Sequence, residues 1–188
     1  MYKMLVIGLS AGGIPLIKRI LQALPQDYPL PIAIVAHLPG GHESCLASIL
    51  NESTKLPVSN AVDKEGIVAG HVYLAPPDYH LLVERNRRFS LSVDAPVMSV
   101  RPSINVLFES AAEVYEQGLI AVLLSGANSD GAEGMAYVKQ LGGLGIVLDP
   151  KECEFSTMSS ATVNRVEVDF VVGLEEIIGL LLAVHETS

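Results

Sequence analysis

The sequence has few basic residues and no long apolar run. Its 188 residues include 12 Lys and Arg against 21 Asp and Glu, which gives a net charge of −9 at pH 7. The average surface field should therefore repel nucleic acid and anionic lipid. No apolar stretch reaches the roughly 18 to 20 residues that a membrane span requires, and the nearest one, residues 170–184, contains Glu175 and Glu176. We expect a soluble protein with no nucleic-acid partner and no membrane insertion.

Cysteine is scarce as well. The two cysteines, Cys45 and Cys153, lack the spacing of a metal-binding pair, and the N-terminus lacks a signal-peptide pattern. We therefore expect a cytoplasmic protein with no metal site and no other cofactor. The chain is long enough to bury a substantial core without disulfides, and we predict that residues 1–188 form a single domain.

Short apolar runs alternate with segments of helical period, which is typical of βαβ units. The predicted strands cover residues 4–8, 32–36, 72–75, 119–124, 144–148 and 168–172. The predicted helices cover residues 13–23, 42–51, 103–116, 131–140 and 174–184. Such an order predicts an α/β fold with a doubly wound, mostly parallel sheet and helices on both faces.

One segment departs from this alternation. Residues 79–93, YHLLVERNRRFSLSV, hold two alternating runs around a polar Arg-Asn-Arg tip. This pattern predicts an antiparallel hairpin. We expect the hairpin to extend one edge or end of the sheet.

Three residues with reactive side chains follow predicted strands. Ser10 lies among small residues in MLVIGLSAGG at 4–13, His37 ends the second strand, and Asp130 comes after the strand at 119–124. Because the carboxyl ends of parallel strands meet at one edge of a doubly wound sheet, we expect these side chains to lie close together.

Acyl transfer by a serine requires these three residue types. A hydroxyl becomes a good nucleophile when an imidazole takes its proton, and a carboxylate must orient and support that imidazole. Ser10, His37 and Asp130 could fill these roles. The backbone N–H of Ala11, expected at the start of the next helix, could then face a developing oxyanion.

Other interpretations of these residues remain open. A serine in a glycine-rich turn is more often a helix cap or a phosphate contact than a nucleophile. Asp130 and Glu133 form a D-x-x-E pattern, so Asp130 could simply cap the following helix. His37 is harder to explain structurally, because a histidine that ends a buried strand needs a polar partner.

Two better-known uses of a glycine-rich turn fit less well. A dinucleotide site would place an acidic residue about 20 residues onward, where the sequence has Ala36 and His37, and the Lys-Ser/Thr ending of a P-loop is missing. An α/β-hydrolase would have the chain order serine, acid, histidine. Here the order is serine, histidine, aspartate.

Several separated motifs together resemble one known family, the catalytic domain of the chemotaxis protein-glutamate methylesterases (CheB-type). The motifs are VIGLSAGG, VAHLPGG, AVDKEGIVAGHVYLAPPDYHLLVE, RPSINVLFESAA, LLSGANSDGAEGM and DPKECEFSTMSSA. The resemblance implies that Ser10, His37 and Asp130 form the catalytic triad. It also implies hydrolysis of glutamyl methyl esters on methyl-accepting chemotaxis receptors, with release of methanol, and in many members deamidation of receptor glutamines.

The chain departs from the family pattern around the triad. Ala11 replaces a threonine, Ala127 and Asn128 replace a Met-Gly pair, Asn105 replaces an aspartate, and His42 replaces an aromatic residue. These changes spare the triad but alter its surroundings. A non-catalytic domain that binds receptors or signalling complexes is therefore the competing hypothesis, and a nucleotide-binding module is a third.

The remaining candidates have weaker patterns. Ala11, Ala127 and Arg101 could line the oxyanion or substrate site, although Arg101 could equally cap a helix or pair with an acid. His71, His80 and His185 are assigned structural or surface roles.

Family members usually carry an N-terminal receiver domain, and this chain starts at the first catalytic strand, so we expect an open, constitutively accessible site. The oligomeric state is left undetermined.

Overall fold

The fold is built on a seven-stranded parallel sheet, seen in a computed structural model that describes residues 1–37 and 45–186. The strands are β1 (Met4–Leu9), β2 (Ile32–Ala36), β3 (Val58–Asn60), β4 (Val72–Leu74), β7 (Leu119–Leu123), β8 (Leu144–Leu148) and β9 (Phe170–Val172). Their order in the sheet is β3-β4-β2-β1-β7-β8-β9.

Six α-helices accompany the sheet within the described residues. They are α1 (Ile14–Ala23), α2 (Cys45–Asn51), α3 (Ile104–Tyr115), α4 (Ala132–Gln140), α5 (Thr157–Arg165) and α6 (Leu174–Glu186). Helices α1 and α6 contact each other, and so do α3 and α4. None of the helices in the described part of the chain is long and apolar enough to cross a membrane.

Helices cover both faces of the sheet, as the strand β1 demonstrates. Leu5 and Ile7 belong to the apolar cluster that includes α1 and α6, whereas Met4 and Val6 belong to the cluster that includes α3 and α4. Successive side chains of a strand point to opposite faces, so a strand buried on both sides reads as a continuous apolar run. The predicted α/β class, with its doubly wound sheet, is confirmed.

The hairpin is present, but its position differs from the expectation. Strands β5 (His80–Val83) and β6 (Phe89–Ser92) pair antiparallel in a two-stranded sheet of their own. Strand β5 packs against α3, where Leu81 and Phe89 are buried in the same cluster as Phe108. Helix α3 thus buries the apolar face of the hairpin. The hairpin strands do not pair with an edge strand of the main sheet.

Two elements carry too little pattern to be predicted from the sequence. Strand β3, Val-Ser-Asn, contains a single apolar residue, and α5 has the polar sequence TMSSATVNR. The α5 helix is held by tertiary contacts, since Met158 is buried and its N–H donates to the carbonyl of Gly126 at 3.0 Å. The first residues predicted for α2, at 42–44, lie outside the described residues.

Candidate active site

Ser10 and His37 lie side by side at the carboxyl edge of the sheet. Their preceding residues, Leu9 and Ala36, are partners in the parallel register of β1 and β2. The N–H of His37 donates to the carbonyl of Leu9 at 3.0 Å, and the N–H of Ser10 donates to the carbonyl of Ser125 at 2.9 Å. The ends of three neighbouring strands, β2, β1 and β7, therefore position this pair.

His37 contacts Asp130, as the strand positions predict. The imidazole Nε2 lies 2.9 Å from Oδ2 of Asp130, and the side chains are 10% and 0% exposed. The N–H at Nε2 is poorly aligned with this oxygen, so the contact is a close electrostatic one rather than a well-formed hydrogen bond. The structure places no hydrogen bond between the Ser10 hydroxyl and His37. It therefore brings His37 and Asp130 into contact and leaves Ser10 as their neighbour.

Asp130 also caps a helix, and this helix is α3, not the following helix α4 that its D-x-x-E pattern indicates. Its carboxylate accepts hydrogen bonds from the Ser103 hydroxyl at 2.8 Å, from the N–H of Ile104 at 2.6 Å and from the N–H of Asn105 at 3.2 Å. These groups form the N-terminus of α3. The alternative interpretation, in which Asp130 caps α4, is excluded because its carboxylate bonds to the start of α3 and Gly131 is the residue before α4.

The same contacts decide the charge of Asp130. Burial raises the pKa of this carboxyl, but His37, the N–H groups of Ile104 and Asn105, and the Ser103 hydroxyl together hold the pKa below its ordinary value of 3.8. Hydrogen bonds to the charged form favour ionisation. Asp130 is therefore a carboxylate at neutral pH, which is the form that can stabilise a protonated imidazole.

Asn105 makes the reciprocal cap. Its side-chain Oδ1 accepts from the N–H groups of Gly131 and Gly134, both at 2.8 Å, and the residue is 2% exposed. Thus Asn105, at the start of α3, satisfies the start of α4, while Asp130, just before α4, satisfies the start of α3. These reciprocal hydrogen bonds fix the position of Asp130 between the N-termini of α3 and α4.

We expect Asn105→Ala to destabilise the protein by about 2 kcal/mol, because two buried N–H groups lose their acceptor. Denaturant unfolding at neutral pH measures the change. The matched control is Asn164→Ala, at an exposed position of α5, which should change the stability by less than about 0.5 kcal/mol. Equal unfolding midpoints for the two variants would contradict the structural importance of the cap.

Asn128 approaches His37 from the other side of the ring. Its Nδ2 lies 3.4 Å from Nδ1 of His37, and its Oδ1 accepts from the N–H of Asp130 at 3.2 Å. The two ring nitrogens of His37 therefore face different groups, Nε2 the carboxylate and Nδ1 the amide.

Ala11 and Ala127 lie in the loops that flank Ser10. Ala11 is not at the start of a helix as expected, because Gly12 adopts a positive φ of 75° and α1 begins only at Ile14. The carbonyl of Ala11 accepts from the Ser125 hydroxyl at 2.8 Å. Within the described residues, the N–H groups of Ala11 and Ala127 have no hydrogen-bond acceptor.

A cavity of about 300 Å³ opens beside His37. Apolar and polar residues both line it, and Asp78 and Arg101 are among the polar ones. The guanidinium Nη1 of Arg101 donates to the carbonyls of Val93 and Asp94 at 2.8 and 2.9 Å. Arg101 is thus bound to backbone carbonyls and not to an acid. The other lining residues include Ala36, Leu46, Leu74, Pro77 and Pro102.

His80 and Ser103 extend the site behind Asp130. His80 is 2% exposed; its Nδ1 accepts from the N–H of Ser103 at 3.1 Å, and its Nε2 lies 3.1 Å from the carbonyl of Ala95. The structural role assigned to His80 agrees with this position. No sequence signal links residues 80, 103 and 130, because only the packing of the hairpin and the loop before α4 against α3 brings them together.

His71 and His185 lie away from this cluster. His71 Nε2 is 2.8 Å from the Ser59 hydroxyl, and His185 Nε2 is 3.1 Å from Asp27. His42 lies outside the described residues. Across residues 1–37 and 45–186, no cluster of three or more His, Cys, Asp or Glu side chains is arranged to hold a metal ion.

Known proteins resemble this chain in both sequence and structure. The protein-family model described as CheB methylesterase matches residues 5–181. A Leptospira interrogans protein, provisionally named as a protein-glutamate methylesterase/protein-glutamine glutaminase, is 43% identical over 187 residues, which cover all of this chain and 97% of that protein. A Clostridium acetobutylicum protein named with the same two activities is 32% identical over 92% of this chain and half of its own length.

A solved structure agrees with these sequence matches. The crystal structure of the Thermotoga maritima CheB methylesterase catalytic domain superposes with a TM-score of 0.92 and 34% identity. The match covers 97% of this chain and 98% of that domain.

Proposed function

This chain belongs to the CheB methylesterase family, whose members are carboxylic ester hydrolases, and from that premise we propose that it removes methyl esters from glutamate side chains of chemotaxis receptors. The names of its relatives also assign them glutamine deamidation, which breaks an amide bond by the same acyl transfer. We propose both activities for this chain, in the cytoplasm and on methyl-accepting receptors as protein substrates.

The observation that carries the proposal is the contact of His37 with a buried, ionised Asp130 next to Ser10. A buried carboxylate against an imidazole stabilises the positive charge that the ring acquires when it takes a proton. We assign Ser10 as the nucleophile, His37 as the general base and Asp130 as the residue that supports His37.

We infer the base nitrogen of His37 from the ring orientation. Since Nε2 faces Asp130, the proton of Ser10 passes to Nδ1 as Oγ attacks the ester carbonyl. The tetrahedral intermediate then expels methoxide, which takes the proton from Nδ1 and leaves as methanol. Water, deprotonated by the same nitrogen, then attacks the acyl-enzyme. The bond to Oγ of Ser10 breaks, Oγ takes the proton back from Nδ1, and the glutamate carboxylate is released.

The oxyanion of these intermediates needs hydrogen-bond donors. We propose the N–H groups of Ala11 and Ala127, which flank Ser10 and lack acceptors among the described residues. Such donors stabilise charge that develops only in the transition state. Arg101, on the cavity wall beside His37, is proposed to line the substrate site.

The test is methanol release. Receptor fragments carrying radiolabelled methyl esters are incubated with the purified chain, and volatile label is counted, while mass spectrometry follows the conversion of receptor glutamine to glutamate. We expect release with the wild-type protein and none above background with Ser10→Ala. Binding of the fragments without any release would contradict the proposal and favour the non-catalytic receptor-binding domain.

A further inference from the structure

Asn128 holds a single orientation next to His37. Its side-chain oxygen accepts from the N–H of Asp130 at 3.2 Å, so the amide group must turn its NH₂ toward Nδ1 of the ring, at 3.4 Å. The reversed amide would face the NH₂ against the N–H of Asp130, placing two donors together. The Asp130 backbone thus determines what Asn128 presents to His37.

The two neighbours of His37 together select one tautomer. A carboxylate at Nε2 favours a proton on that nitrogen, and an amide donor at Nδ1 favours a lone pair there. Among charged groups, Asp130 contacts the ring, while Asp78 and Arg101 line the cavity beside it. None of these supplies a donor to Nδ1 in the described structure.

We propose that Asn128 is a positioning residue that occupies the Nδ1 lone pair of His37 in the resting state and so restrains the base. The inference rests on the proposed function for its kinetic meaning, because Ser10 must use this same lone pair. When Nδ1 takes a proton, the ring N–H and the Asn128 NH₂ become two facing donors. Asn128 must then turn away and lose its hydrogen bond to Nδ1, so this contact opposes the transfer of the Ser10 proton to the ring.

The size of the effect follows from the contact. At 3.4 Å the hydrogen bond is long, and an ordinary net hydrogen bond changes an equilibrium by about two- to tenfold. A restraint of this size slows the reaction without abolishing it.

The backbone at Asn128 leaves room for the test. Asn128 does not have a positive φ, so alanine fits there without strain. Asn128→Asp keeps an oxygen for the N–H of Asp130 and turns a second oxygen toward Nδ1. That oxygen favours a protonated ring. Alanine should therefore only remove the donor from Nδ1, whereas aspartate should replace the donor with an acceptor.

The first experiment is a ¹⁵N NMR titration of His37 in the Ser10→Ala background. At high pH we expect the spectrum of the Nε2–H tautomer. Asn128→Ala should raise the proton affinity of His37 by about two- to tenfold, and Asn128→Asp should raise it by more than about tenfold. The control Ser129→Ala, at the next residue, should leave the titration unchanged. Identical titrations for all variants would overturn the proposal.

The second experiment follows kcat/KM for methanol release against pH. Asn128→Ala should move the acid limb to higher pH and raise the plateau above it by about two- to tenfold. Asn128→Asp should lose activity at neutral pH and recover it as the pH rises. A plateau that falls for Asn128→Ala would overturn the restraint and assign Asn128 to the oxyanion instead. Because the titration needs no activity, a failure of the methylesterase function would be distinguishable from a failure of this inference.

Discussion

Ser10→Ala will lower ester hydrolysis by about three powers of ten or more, and His37→Ala will lower it by a similar factor. The first change removes the nucleophile, and the second removes the group that takes its proton. Because the two act in one proton transfer, the double variant should be little slower than either single variant. Methanol release from methylated receptor fragments measures all three rates.

The controls for this experiment are substitutions of the same types elsewhere. Ser90→Ala, on the hairpin strand β6, and His185→Ala, at the end of α6, should retain wild-type rates. Circular dichroism should show the same folded state for every variant. If the losses at Ser10 and His37 were independent and multiplied in the double variant, a shared mechanism would be ruled out.

Asp130→Asn will affect both the activity and the stability. The activity should fall by a factor similar to or somewhat smaller than that of Ser10→Ala, since the support of His37 is lost and the nucleophile remains. The free energy of unfolding should fall by about 3 kcal/mol, because an amide leaves buried donors and the imidazole without their charged partner. Denaturant unfolding at neutral pH measures the second effect.

The destabilisation caused by Asp130→Asn should become smaller as the pH falls. The folded-state pKa of Asp130 lies below its ordinary value of 3.8, so its contribution is fully present above that value and is lost as the pH falls through the folded-state pKa. The difference between wild type and Asp130→Asn should therefore shrink in acid. Asp27→Asn, at a largely exposed carboxylate, is the control and should show little difference at either pH.

A purely structural role for Asp130 predicts another result. Asparagine caps helices about as well as aspartate in exposed positions, so a simple cap would tolerate the change in both assays. Loss of activity with unchanged stability would retain the catalytic role but contradict the importance of the three hydrogen bonds to α3. Loss of stability with unchanged activity would retain the importance of these hydrogen bonds but contradict the catalytic role.

The parallel sheet and its reactive edge could be predicted from the sequence. Buried strands such as β1 and β2 are continuous apolar runs, and their pattern depends only on neighbouring residues. The rule that carboxyl ends of parallel strands share an edge then placed Ser10, His37 and Asp130 together. The contact of His37 with Asp130 agrees with that rule, and the motifs around the three residues pointed to the family.

Contacts between distant segments could not be predicted in this way. Helix α5 has little apolar periodicity and depends on Met158 packing, and the hairpin rests on α3, not on the sheet. The cap that Asp130 provides, the reciprocal cap from Asn105 and the amide of Asn128 at Nδ1 require atoms placed within a few ångströms. Local patterns fix which face of an element is buried, whereas hydrogen-bond partners depend on how separate elements pack, and only the tertiary structure settles that.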